Sequence, residues 1–252
     1  MKNKGALLTL IFILMAFGQV KAQLVTDRPD QTESSSTVGR GNFQVESGFL
    51  IGFEGEGQYS TRYILAPTTL LRYGITAGIE LRMVNQFVST KYQEQIFQEI
   101  GDLEVGTKIQ LLKMKGTGPE IAFLTNLIIP TGTAEPLDEE FGTVNKLAVS
   151  YELSEDIGLG YNIGYNYFGA GNGDLTYSVA MGISVNDKVG LYIEPYGEFS
   201  GLEDFILNFD TGFTYLVNDN LQFDFSFGSG LTHRMNYVSV GVSWRALSKK
   251  RL

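Results

Sequence analysis

His233 is the one histidine of the chain, so any acid–base or acyl-transfer chemistry would fall to it. Acyl transfer at a lipid surface needs a serine within reach of the ring and a third polar group to orient it. Ser229 lies close in sequence, but no pattern selects it, and the neighbouring Arg234 suits an ordinary loop position. A barrel lipase is thus the remote reading, and no catalytic residue is assigned. The run Asp138-Glu139-Glu140 offers oxygens to a hard cation, yet it lacks the alternating spacing and turn glycine of a calcium loop. A solvated acidic loop tip explains it better. The chain has no cysteine, which removes disulfides and thiolate-bound metals. Glycine-rich runs such as 169–173 lack the strand-to-helix context of a phosphate cradle. No cofactor and no metal is expected.

The chemistry that the spacing does support is sorting of solutes by charge. Arg72, Glu80, Arg82, Glu104, Lys108, Glu194 and Asp224 lie within runs that alternate apolar and polar residues. Period-two alternation puts one set of side chains on each face of a sheet. A mid-strand charge facing lipid costs about 2–4 kcal/mol, whereas a wet lumen accepts it. Rings of such side chains bias which ions enter a pore, so these seven are the candidate selectivity residues. Asp27, Arg28, Asp30 and Glu33 lie upstream, in a polar lead-in without periodicity. Because buried charges need partners, this lead-in is expected to fold into the lumen against Arg72, Arg82 or Lys108, as a plug. The alternative is a disordered terminal tail.

Twelve candidate strands carry these residues, between Asn42 and Arg245. Leu221, Phe223, Phe225 and Phe227 alternate with Gln222, Asp224, Ser226 and Gly228; Val238, Val240, Val242 and Trp244 alternate with Tyr237, Ser239, Gly241 and Ser243. Tight polar turns recur at Asp156, Asp187 and Asp219. The connections after even-numbered strands are short, and those after odd ones are mostly longer, with 88–101 and 130–142 the extremes. That sorting is how an outer-membrane barrel is threaded, with periplasmic turns and outer loops. A soluble sandwich has no reason for it. The expected fold is all-β: a single antiparallel transmembrane β-barrel of about 12 strands.

Residues 1–22 read as a cleavable secretory signal: Lys2 and Lys4, then a mostly apolar run from Ala6 to Gly18, then Val20-Lys21-Ala22. The run is too short for a spanning helix. The remaining divisions are the irregular segment 23–41, a barrel over 42–245 and a basic tail, 246–252. Without Lys2, Lys4 and Lys21 the 19 basic residues fall to 16 against 28 acidic ones, a net charge of −12. So acidic a chain is unsuited to nucleic acid. The partners expected instead are outer-membrane lipid, the barrel insertion machinery and a small-molecule solute.

Thr26-Asp27-Arg28-Pro29-Asp30-Gln31-Thr32-Glu33-Ser34, followed by Gly41-Asn42-Phe43-Gln44-Val45-Glu46-Ser47-Gly48-Phe49, resembles an exported family of Gram-negative bacteria. That family is the transporter family labelled "meta-pathway of phenol degradation". Leu70 to Arg82 resembles its second hairpin, and Gly101-Asp102-Leu103-Glu104-Val105-Gly106-Thr107-Lys108 its G-D-x-x-x-G-x-K strand. The resemblance covers nearly all of the mature chain. It implies an outer-membrane barrel with a transport role and, since the label describes a genetic neighbourhood, no phenol chemistry. The tail after Arg245 departs from the habit of ending on an aromatic, a place that Trp244 could fill. The expected function is a porin-like channel or transporter. The rival is a closed structural or adhesive barrel acting through its outer loops.

Overall fold

The computed structural model describes residues 24–114, 116, 118–133 and 140–248. Thirteen strands follow one another: β1 (Phe43–Glu54), β2 (Thr61–Gly74), β3 (Ile79–Tyr92), β4 (Gln95–Ile100), β5 (Leu103–Lys113), β6 (Glu120–Ile129), β7 (Gly142–Glu152), β8 (Ile157–Tyr167), β9 (Asp174–Asn186), β10 (Val189–Ser200), β11 (Asp204–Asn218), β12 (Leu221–Gly230) and β13 (Met235–Ala246). All pairings are antiparallel, and β1 pairs with β13 from Phe43↔Ala246 to Glu54↔Met235. With β2 paired to β3, the sheet closes on itself. Closure removes the unpaired edges that lipid could not satisfy.

Twelve staves form the wall, although there are thirteen strands. β3 pairs with β5 over its first half and with β4 over its second. The expected long loop 88–101 is therefore mostly strand. The chain continues up β3 to Tyr92, turns at Gln93 and Glu94, and returns as β4. Gln93 takes a φ of 54°, the left-handed conformation that so tight a reversal demands. Lys91 pairs with Ile96 and Gln98 with Ser89 across this hairpin. The connection 201–203 between β10 and β11 is also short, so the outer loops are less uniform than expected.

The wall is inside out relative to a soluble protein. Gln44, Glu46, Arg72, Glu80, Lys108, Glu194 and Asp210 are buried, while Phe49, Leu81, Phe123, Ile163, Phe223 and Trp244 are exposed. Both sets follow the period of two, which leaves an apolar belt outside and a polar lumen inside. Ile163, midway along β8 and 55% exposed, points into that belt. Changing Ile163→Arg is expected to cost about 2–4 kcal/mol in denaturant unfolding from lipid vesicles, and much less in a strand residue near the rim.

The Asp turns prove to be organised by a residue one or two places before them. Asn186 Oδ1 accepts from Lys188 N at 2.9 Å and Val189 N at 3.0 Å. Ser154 Oγ accepts from Ile157 N at 3.1 Å, and Asn218 Oδ1 accepts from Asn220 N at 3.0 Å. Short side-chain acceptors of this kind mimic a backbone turn and fix the hairpin register. The candidate signal 1–22, the loop acids Asp138 and Glu139, and residues 249–252 of the tail lie outside the described residues.

Candidate functional site

The segment 24–41 has no regular secondary structure and runs within the barrel, touching inward-facing residues from nearly every stave. Its first anchor is Asp27. Lys108 Nζ donates to both carboxylate oxygens at 2.8 Å, Arg82 donates at 2.5 Å, and Arg72 stands at 3.3 Å. The backbone N–H groups of Asp27 and Arg28 both donate to Glu46 Oε2, at 2.9 and 3.0 Å. Arg72 in turn donates to Glu46 at 2.9 Å and to Glu80 at 2.8 Å. Arg82 reaches Glu33 at 2.8 Å. The need for Asp27 is built into the strand register. Arg72 lies directly opposite Arg82 across β2 and β3, and like charges so placed repel unless anions lie between them.

Arg28 is the second anchor. It donates to Asp224 Oδ1 and to Ser239 Oγ, both at 3.0 Å. Beneath it are Gly48 and Gly241, paired face to face across β1 and β13. A Cβ on either would overlap the guanidinium. Further along, Gln31 N and the Thr32 hydroxyl donate to Glu194, and Glu33 N donates to Asn162 Oδ1 at 2.7 Å. Ser35 and Ser36 reach Ser150 and Glu120, both at 2.9 Å, and Val38 N donates to Glu80 at 2.8 Å. The segment occupies the half of the lumen nearer the turn at Ser154–Asp156 and leaves a cavity of about 940 Å³ against β5 to β12.

Of the seven selectivity candidates, Arg72, Glu80, Arg82, Lys108, Glu194 and Asp224 bond directly to this segment. Glu104 stands apart, accepting from Asn126 Nδ2 at 2.9 Å. Asp27, Arg28 and Glu33 all meet wall charges. Asp30 meets no opposite charge among the described residues and lies instead beside the wall carboxylates Glu194 and Asp210. Glu194 and Asp210 face each other directly across β10 and β11, and Tyr237 donates to Asp210 at 2.5 Å. Sequence reasoning missed Glu46, Gly48, Gly241, Asp210, Asn162 and Ser239 as contacts of the site. Glu46 and Asp210 were visible as polar-face charges, but the glycine pair needs the register between the first and last strands. His233 and Ser229 form no bond to each other among the described residues, and Ser229 Oγ turns to a backbone carbonyl.

The two aspartates of the segment respond oppositely to pH. Burial alone would raise Asp27, but Arg72, Lys108 and Arg82 hold its carboxyl well below the usual range. Its contribution to docking is present above the free value of about 3.9 and is lost only as pH falls towards that depressed value. Burial, then the carboxylates of Glu194 and Asp210, push Asp30 well above the usual range. Docking that retains this proton is strongest below about 3.9 and weakens as pH rises towards the raised value. Segment release, followed as maleimide labelling of a cysteine placed at Ser35, is expected to be more frequent at pH 8 than at pH 5. The change Asp30→Asn should flatten that slope.

Residues 26–246 match the model of a family described as "Putative MetA-pathway of phenol degradation". No curated protein matches the chain. Among solved structures, the chain is similar to the KdgM porin in complex with disordered oligogalacturonate, with a TM-score of 0.56 at 11% identity over 81% of this chain and 99% of that one. It is similar also to the translocator domain of the autotransporter NalP from Neisseria meningitidis, with a TM-score of 0.50 at 12% identity over 82% of this chain and 89% of that one. Identities this low establish the barrel fold and nothing finer.

Proposed function

Since the chain belongs to the MetA-pathway of phenol degradation family, we propose that it passes a small solute across the Gram-negative outer membrane through a lumen controlled by segment 24–41. The observation that carries this is the inside-out wall around a lumen whose charges are met by a removable stretch of chain. Twelve staves enclose more space than the side-chain-filled core of eight, yet less than the open channel of a sixteen-stranded porin. A segment with no strand pairing of its own can leave without breaking the barrel. The description of KdgM as a porin supports passage in a barrel of this shape. Loss of residues 1–22 on export would place the segment at the new terminus, free to move.

Planar-bilayer recording tests the reading. The mature chain is expected to conduct weakly, and a variant lacking residues 24–36 at least several-fold more. Equal conductance would show that the segment controls nothing. Silence from both folded proteins would leave the closed structural barrel in its place.

A further inference from the structure

At the loop end of the barrel, opposite the turn at Ser154–Asp156, two cations stand side by side on the outside of the wall. Arg62 of β2 lies directly across from Lys91 of β3. Phe53 and Ile96 complete the same cross-strand row, 49% and 58% exposed, which puts the row on the lipid-facing side. Like charges so paired repel unless an anion lies between them. Inside the barrel, the facing pair Arg72 and Arg82 is supplied with Asp27 and Glu80. Outside, the chain supplies no equivalent. Among the described residues the side chain of Arg62 forms no hydrogen bond or ion pair. Lys91 reaches only Glu94, at 3.8 Å, and that side chain is 98% exposed. Glu56, in the loop above, is taken by Arg234.

A groove of about 600 Å³ runs over the two cations, lined also by Phe53, Gly57, Ser60 and Gln93, with no carboxylate among these residues. Its rims are two tight turns. Ser60 N donates to Gly57 O at 3.2 Å on one side, and Gln93 holds its left-handed φ of 54° on the other. The height is that of a lipid head. Arg62 and the outward-facing Tyr73 are eleven residues apart on β2, roughly 25–30 Å along the barrel axis at the usual rise and tilt, close to the height of an apolar band.

We propose that this groove seats the anionic phosphate head of a membrane lipid, its oxygens between Arg62 and Lys91. The acyl chains would then lie along Phe53 and the directly paired Ile51 and Ile64, which continue the outward face towards the belt. A guanidinium fork beside an ammonium is a donor set that suits phosphate. A free phosphate ion would satisfy the cations but leave the apolar edge beneath them unused, so the lipid is the source. The site lies on the outside of the wall and is independent of what the lumen passes.

Native mass spectrometry of the full mature chain, folded in a neutral detergent, tests the proposal with phosphatidic acid, phosphatidylcholine and diacylglycerol of equal chain length. Phosphatidic acid should be retained about tenfold more tightly than either of the others. Arg62→Gln and Lys91→Gln should each remove most of that preference. Lys188→Gln, which neutralises an exposed cation at the turn end, should leave it unchanged. All three variants should keep the folded protein's gel mobility, and either groove variant alone suffices for the test. Equal retention of phosphatidic acid and phosphatidylcholine would overturn the proposal, as would groove variants that bind like the parent. An equal loss in Lys188→Gln would mean that net charge alone is read, and the site would fall. Inorganic phosphate that displaces phosphatidic acid at equal concentration would overturn the assignment to lipid.

Discussion

Replacing Asp27 with alanine is expected to free segment 24–36 while leaving the barrel closed. One carboxylate there holds Lys108, Arg82 and Arg72 within 3.3 Å. Removing one member of a buried ion pair leaves its partner uncompensated, typically at about 3–5 kcal/mol. Here the wall keeps Glu46 and Glu80 for Arg72, so most of the loss falls on docking. A docking constant lowered by about two to four powers of ten follows from that energy. The chain has no cysteine, so Ser35→Cys provides a unique reporter at a position that is 1% exposed. Maleimide should label it slowly in the parent and rapidly once Asp27→Ala is added. Equal rates would mean that Asp27 is not what holds the segment.

The second large effect is expected from Gly241→Val. Its side chain takes the space of the Arg28 guanidinium, and the strand around it gains a residue that suits β structure. Barrel stability should hold or rise while the segment loosens. The lost bonds to Asp224 and Ser239 are charge-assisted, each worth about 1.5–3 kcal/mol. Arg28→Ala should loosen the segment equally, and the double variant no more than either single one, because both remove the same contact. Labelling of the Ser35→Cys reporter reads this directly. Additive effects would show that Arg28 and Gly241 act separately.

Alternation made the wall legible before any coordinates. The set Leu221, Phe223, Phe225 and Phe227 turned outward, and Gln222, Asp224 and Ser226 inward, because a strand's period admits no other sorting once one face is apolar. The family opening at Asp27-Arg28-Pro29 was legible too, though not its contacts. Which wall residues the segment meets depends on barrel register, and register joins β1 to β13 across the whole chain. No local pattern carries that. The β3–β4 hairpin was hidden for another reason: projecting beyond the wall, Tyr92 to Gln98 loses the apolar alternation that lipid contact imposes. The turn acids misled in a smaller way. Asp156, Asp187 and Asp219 recur visibly, while Ser154, Asn186 and Asn218 make the bonds.

The glycine pair beneath Arg28 bears on assembly. Gly48 belongs to the first strand and Gly241 to the last, so the cradle does not exist until the two ends of the chain have met. Asp224, which completes it, arrives only with the penultimate strand. Arg28, though close to the start of the chain, therefore cannot settle until the last strands are in place. An unfinished barrel stays unlatched, and Arg28 comes to rest across the seam as the final act of folding.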